Sequence, residues 1–320
     1  MGSAERLGVL AIFSPPSKKE LVACWELTRL GSAMGPSGVV FYPLVFSMAM
    51  AYRAKPEVSA LEVLGRLAMF WILSCGVKAF LMTADDILDA DIDAKVTRTQ
   101  NRAIPRGDIT ILRASMFLIL QAVIGTYLAN TFLKPYTVKI TAPTWPLFLI
   151  YPTCKRWMSF APIVLGLMFN SGVFMGWSDL SPDGRVPWNV LSPIYVGCCF
   201  WVIAYETVYQ HLDREEDVKL GIKSFAIFCG EYTNVVCGAS SLCFTGLLAY
   251  GASLNGHGPI LYAALAAVTL QLLYGIAHTD VNVRSQCWYF FLLTPRIGAI
   301  LVTGFITDVV FYRWMNGLAL

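Results

Sequence analysis

Asp85, Asp86, Asp89, Asp91 and Asp93 crowd into nine residues, directly after an apolar run from Leu67 to Met82. On a helix turning about 100° per residue, Asp86, Asp89 and Asp93 share one face, while Asp85 and Asp91 point elsewhere. Stacked carboxylates repel one another unless cations sit among them. Cations follow at once in Lys95, Arg98, Arg102 and Arg106. Carboxylate oxygens suit a hard divalent ion, and Mg²⁺ typically uses one or two of them together with substrate phosphates. A second set repeats the theme: Glu206, Asp213 and Asp217 again fall on one helical face, with Glu216 near it and Lys219 and Lys223 following at about one turn each. Two acidic sets, each followed by cations, could close on one diphosphate. Metal bound there would make the diphosphate a better leaving group. An apolar bundle around it would hold a hydrocarbon tail, and aromatic walls could stabilise an allylic cation and exclude water.

These residues need a scaffold, and the composition defines it. The chain has 320 residues, is 56% hydrophobic and 14% charged, and has a mean hydropathy of +0.59. Such a balance excludes an ordinary soluble domain. Hydropathy predicts about nine crossings, at 36–52, 67–86, 109–132, 137–151, 158–177, 190–209, 232–254, 259–277 and 292–310. The fourth is the weakest, being short and broken by Pro143 and Pro146. The fold class is therefore an all-α polytopic membrane bundle of about nine transmembrane helices.

With the N-terminus inside, 16 Lys and Arg lie on the cytosolic side against 7 opposite, and Lys78 remains within the second span. Both acidic sets then face the cytosol, each closing an even-numbered span, four spans apart. This predicts two pseudo-repeated four-helix units around a central cavity. Carboxylates at membrane depth normally face a cavity and serve function. Lys78 reads as a snorkelling or paired lysine, and His211 as an interfacial residue; neither is assigned a role.

The small net charge of +3 gives no reason to expect nucleic acid, and no obligate protein partner is evident. Nine cysteines without a CxxC spacing suggest neither a zinc site nor a disulfide framework. The apolar run at 7–13 is too short for a signal peptide, and residues 1–20 read as an N-terminal cytosolic segment. Without the Arg/Ser richness of a mitochondrial presequence, the chain is expected in the endoplasmic reticulum or another endomembrane rather than the mitochondrial inner membrane.

The run Asp85-Asp86-x-x-Asp89-x-x-x-Asp93, continuing through Arg98-Thr99-x-Asn101-Arg102-x-x-Pro105, resembles the first signature of the UbiA-type membrane prenyltransferases. Tyr151-Pro152-x-x-Lys155-Arg156 looks like their YxxxK segment, and Asp213 to Ser224 resembles their second acidic signature. Weaker likenesses are Arg29 with Gly35, Gly166 to Trp177, Cys287-Trp288, and Arg296 with Gly298. Two positions depart from the pattern: Asp85 replaces an opening Asn, and Glu206 stands where ubiquinone-pathway members commonly carry Asp.

The resemblance implies one prenyltransferase domain over residues 21–320. Asp86, Asp89, Asp93, Asp213 and Asp217 would bind Mg²⁺, and Asn101, Arg102, Tyr151, Lys155, Lys219 and Lys223 would hold an isoprenyl diphosphate. Arg156 and Glu206 would position or deprotonate a phenolic acceptor. Among relatives, the chain looks like fungal meroterpenoid enzymes that join farnesyl diphosphate to a phenolic polyketide acid in secondary metabolism. Its alternatives are a 4-hydroxybenzoate polyprenyltransferase of ubiquinone synthesis and a membrane terpene cyclase. A divalent-cation transporter would also want intramembrane carboxylates, but near the bilayer midplane on broken helices. Here they sit at helix ends beside lysines.

Overall fold

The computed structural model describes residues 14–319, so the apolar run at 7–13 lies outside the described residues. Every regular element among them is helical. A short α1 (Lys18–Thr28) leads through a loop and a 3₁₀ turn to α2 (Phe41–Ala54), α3 (Ala60–Leu88), the one-turn α4 (Ala90–Asp93) and α5 (Ile111–Phe132). After these come α6 (Pro135–Thr141), α7 (Leu147–Trp157), α8 (Ala161–Phe169), α9 (Gly172–Leu180) and α10 (Trp188–Gln210). The chain ends with α11 (Arg214–Leu220), α12 (Phe225–Cys229), α13 (Thr233–Leu254), α14 (Pro259–Ala277), α15 (Arg284–Phe291) and α16 (Leu293–Met315).

Seven helical stretches are long and apolar enough to cross a membrane, and 38–54 is a shorter apolar helix. The stretch from α6 to α7 is broken by a 3₁₀ turn at Ala142–Thr144, where Pro143 and Pro146 lack amide donors and α6 ends. The fifth stretch is also broken, between α8 and α9. There Asn170 turns its side chain back to donate to the Gly166 carbonyl at 2.7 Å.

The most extensive helix pair is α10 with α13, and small residues let the two helices approach closely. A Cβ at Gly251 would fall 2.6 Å from Ile194 Cδ1, and one at Gly197 would fall 2.8 Å from Leu248 Cδ1. Close backbone approach of this kind is how helices associate where lipid already satisfies apolar surface. Trp201 of α10 and Phe244 of α13 stack with centroids 5.0 Å apart across the same seam. Helix α2 packs against α9 and α16, and α3 packs against α5. Helix α5 is a peripheral helix: it packs on α3 along one side, Ala114 is its one buried residue, and its other side is exposed.

The ends of α2, α9, α14 and α16 remote from the acidic sets hold charges that are saturated locally. Arg313, fully buried, donates to the carbonyls of Tyr52, Lys55, Pro56, Val58 and Ala319 and lies over the Tyr52 ring. These acceptors include the last carbonyls of α2, which otherwise lack partners. Asp308 accepts from the Gly258 amide and faces the buried His257 imidazole at 2.8 Å. Asp179 accepts from the Lys134 amide at 3.1 Å and pairs with Arg66 at 3.3 Å.

Candidate active site

Both acidic sets follow a long helix that stops in the same way. α3 ends at Leu88, and Asp89 takes φ −100°, ψ 3° before the single turn of α4. α10 ends at Gln210, and after a turn Asp213 takes φ −112°, ψ 2° before α11. In each case the amide four residues on returns to that aspartate's carbonyl at 2.8 Å, Asp93 to Asp89 and Asp217 to Asp213. Asp89–Asp93 and Asp213–Asp217 are thus matched pairs on matched turns, as the expected pseudo-repeat requires.

The two pairs face one cavity of about 710 Å³. Its acidic wall is Asp85, Asp89 and Asp93, with Glu206, Asp213 and Asp217 also lining it. The rotation of α3, which runs unbroken through Asp85 and Asp86, differs from that expected from the sequence. Asp85, expected to point elsewhere, lines the cavity, whereas Asp86 lies behind it. Asp86 is 4% exposed and held by Arg29 and by Arg102, whose Nη1 is 3.1 Å from Asp86 Oδ1 and 2.6 Å from Asp93 Oδ2.

Asp89 and Asp213 each have a cation of their own. Lys155 of α7 pairs with Asp89, and Arg98 grips both oxygens of Asp213, with Nε to Oδ1 at 2.9 Å. Arg98 follows the first acidic set in sequence and so ties it to the second. The Lys155 carbonyl accepts from the Lys223 amide at 2.9 Å, which brings the Lys223 chain to the rim. Tyr151 lines the cavity one turn before Lys155, and Glu206 lines it as well.

Burial raises Asp89 to about 7, with the Asp85 charge adding to it and Lys155 opposing it. Burial and Asp213 push Asp217 to about 7 as well. In contrast, Asp91 is held at about 2 by its hydrogen bonds with Arg156. Asp89 Oδ1 is buried without a hydrogen-bond partner. A carboxylate that is disfavoured as an anion and keeps an orphan oxygen is suited to a cation ligand. Among the described residues no three acidic, His or Cys side chains already stand in a metal-holding group, because Lys155, Arg98 and Arg102 occupy the carboxylates instead. The carboxylate oxygens that face the cavity are of the kind that suits a hard cation such as Mg²⁺.

Besides Asp86, three expected site residues lie away from the cavity lining. Arg156 is drawn outward to Asp91 at 2.6 Å and to the Leu88 carbonyl, so it clamps the break in α3. Asn101 is exposed, its carbonyl taken by Arg106. Lys219 is exposed because Gly221, at φ 67°, ends α11 and only the returning chain brings Lys223 inward. Glu216 is also outside the lining, 4.0 Å from Arg284.

The structure also adds residues that sequence reasoning left without a role. Tyr209, Trp288 and Phe291 form an aromatic wall, with the Tyr209 and Phe291 rings 4.3 Å apart and the Arg98 guanidinium 5.6 Å from Tyr209. Trp288 and Phe291 sit on α15, 71 and 74 residues beyond Asp217, and the weak Cys287-Trp288 likeness was the one sign of them in the sequence. Arg29 and Lys78 also line the cavity.

Comparison with known proteins agrees with this geometry. The chain is 32% identical over 292 residues to the mitochondrial 4-hydroxybenzoate polyprenyltransferase of Schizosaccharomyces pombe, covering 88% of this chain and 78% of that protein. The human protein of the same name is 32% identical over 289 residues, covering 88% and 74%. A UbiA homolog from Archaeoglobus fulgidus, solved bound to GPP and Mg²⁺, shares the fold at a TM-score of 0.63 and 15% identity, covering 90% of this chain and 99% of that one. The expectation of an endomembrane in preference to mitochondria is corrected by these relatives, which are mitochondrial enzymes by name. The family model for UbiA prenyltransferases matches residues 40–300, and with the two acidic turns meeting in one membrane cavity it identifies the chain as a member of the UbiA prenyltransferase family, a membrane prenyltransferase.

Proposed function

We propose that the chain transfers a polyprenyl group from an isoprenyl diphosphate to 4-hydroxybenzoate or a close phenolic acid, with Mg²⁺, in a mitochondrial membrane. The observation that carries this reading is the convergence of Asp89–Asp93 and Asp213–Asp217 on one cation-ringed cavity. The names of the relatives support the benzoate acceptor over the polyketide acid and ubiquinone synthesis over secondary metabolism.

In this reading Asp85, Asp89, Asp93, Asp213 and Asp217 hold Mg²⁺, while Asp86 orients Arg29 and Arg102 from behind. Bound Mg²⁺ would neutralise the diphosphate and stabilise it as a leaving group. Arg98, Arg102, Lys155 and Lys223 take the phosphate oxygens, and Tyr151 orients the group. Tyr209, Trp288 and Phe291 face the allylic end of the chain and keep water from it. Glu206 lies beside Tyr151, where it can take the phenolic proton and make the ring more electron-rich. A ring carbon then bonds to C1 of the chain, the C1–oxygen bond breaks with its electron pair leaving on the diphosphate, and the ring proton is lost to restore aromaticity.

The test incubates membranes containing the chain with labelled geranyl, farnesyl and longer diphosphates and a panel of phenolic acids. Prenylated 4-hydroxybenzoate should form with Mg²⁺ and disappear in EDTA. Preference for a polyketide acid, or release of a cyclised hydrocarbon without an acceptor, would overturn the reading.

A further inference from the structure

Gln210 stands on the second acidic face, and the diphosphate reading leaves it without a task. It closes α10, four residues after Glu206 and three before Asp213, and lines the cavity with both. Its side-chain oxygen accepts from two main-chain amides further along the chain, Phe225 at 2.8 Å and Ala226 at 3.3 Å. Those are the first two amides of α12, and the third, of Ile227, goes to Ser224 Oγ at 3.3 Å. The start of that helix is thereby saturated from within the protein, and its amides are not left over for phosphate.

What this contact fixes is the stretch from Ile222 to Ser224, which belongs to no helix and carries Lys223 into the lining. Two of its hydrogen bonds use main-chain acceptors: the Ile222 amide donates to the Asp217 carbonyl at 2.9 Å, and the Lys223 amide to the Lys155 carbonyl at 2.9 Å. Carbonyls come with any sequence, whereas the tie to Gln210 depends on the choice of side chain. Lys223 needs a fixed base. Its side chain is exposed, and its ammonium donates to the Trp157 carbonyl at 3.1 Å. To meet a phosphate it must leave that carbonyl and give up rotamer freedom, and the entropy lost is smaller when the main chain beneath it is already held. Gln210 also joins this stretch to the Asp213 turn, so the carboxylates and the ammonium keep one spacing.

We propose that Gln210 is a positioning residue for the diphosphate: it pins the Lys223 main chain against the Asp213–Asp217 turn and acts on the substrate through Lys223. This deepens the diphosphate half of the reading above and rests on it.

The experiment titrates farnesyl diphosphate with Mg²⁺ into the purified full chain by calorimetry. It compares wild type, Gln210→Met, the milder Gln210→Asn, Lys223→Met and the double variant Gln210→Met, Lys223→Met. Lys223→Met should raise Kd about tenfold or more, the weight of one charged hydrogen bond. Gln210→Met should raise it about fivefold, and Gln210→Asn, whose oxygen falls short of the two amides, about threefold. The double variant should match Lys223→Met within about twofold, because a residue that acts through Lys223 then has nothing left to position. Amide exchange at Phe225 and Ala226 should quicken in both Gln210 variants. If Gln210→Met does not fold, Gln210→Asn combined with Lys223→Met closes the same cycle. Losses that multiply in the double variant, an unchanged Kd in the Gln210 variants, or exchange as slow as in wild type would each overturn the role. An unchanged Kd in Lys223→Met would overturn it too, while prenylated 4-hydroxybenzoate made by wild type would still uphold the transfer. Wild type that binds no farnesyl diphosphate would sink both.

Discussion

The two ends of the bundle both bury charge, yet they satisfy it differently. At the remote end Arg313 is surrounded by main-chain carbonyls, and Asp308 by a main-chain amide and His257. Main-chain partners cannot rotate away as a side chain can, so those charges are fixed. At the cavity end Asp89, Asp213 and Asp93 are held by the side chains of Lys155, Arg98 and Arg102. Side-chain partners can exchange one anion for another by rotating. Immobile charge joins helices, and exchangeable charge receives a ligand.

This contrast can be broken experimentally. The largest effect is expected from Asp89→Asn or Asp213→Asn, each lowering prenyl transfer by about 10³-fold with little change in the thermal midpoint. A fall in midpoint matching the fall in turnover would mean the two ends do not differ. Arg313→Met should do the reverse, destabilising by about 3–5 kcal/mol because five carbonyls lose their donor. The diphosphate KM of whatever remains folded should hold. Glu206→Gln should reduce arene prenylation by about a hundredfold while diphosphate binding changes little; equal losses in both would remove Glu206 from the acceptor side.

The smallest effect is one of pH. Burial raises Asp89 and Asp217 above their unfolded value, so the folded state holds the extra protons. Their contribution to the stability of metal-free protein is therefore greatest near pH 4, declines as pH climbs through about 7, and then levels off. Scanning calorimetry without metal should show this decline between pH 5 and 8. Mg²⁺ with a diphosphate should reverse it, and the double variant Asp89→Asn, Asp217→Asn should flatten it.

Much of this arrangement was legible in the chain. Apolar length found the crossings, and Pro143 and Pro146 marked the broken one because a missing amide interrupts any helix. Carboxylate spacing identified the two acidic sets and their union. What escaped was the orientation of single side chains. Leu88-Asp89-Ala90 carries no Gly or Pro, so nothing local announces the stop at Asp89, and adjacent Asp85 and Asp86 give no sign of which one the rotation of α3 turns to the cavity. Lys78 looked like a lysine seeking water because a sequence cannot show that the loop at 29–38 folds over it. Arg156 looked inward because its neighbour Lys155 is; consecutive helical residues diverge by about 100°, and only Lys155 meets the cavity.

The stop at Asp89 has a consequence for what the chain can tolerate. Apolar side chains between Lys78 and Asp85 can be exchanged for others of similar bulk, since only the direction of the flanking charged groups matters. Adding or deleting one residue there would swing Asp85 and Asp89 by more than a quarter turn relative to Lys78, toward lipid or a neighbouring helix. Over this segment the protein should be lenient about spelling and strict about length.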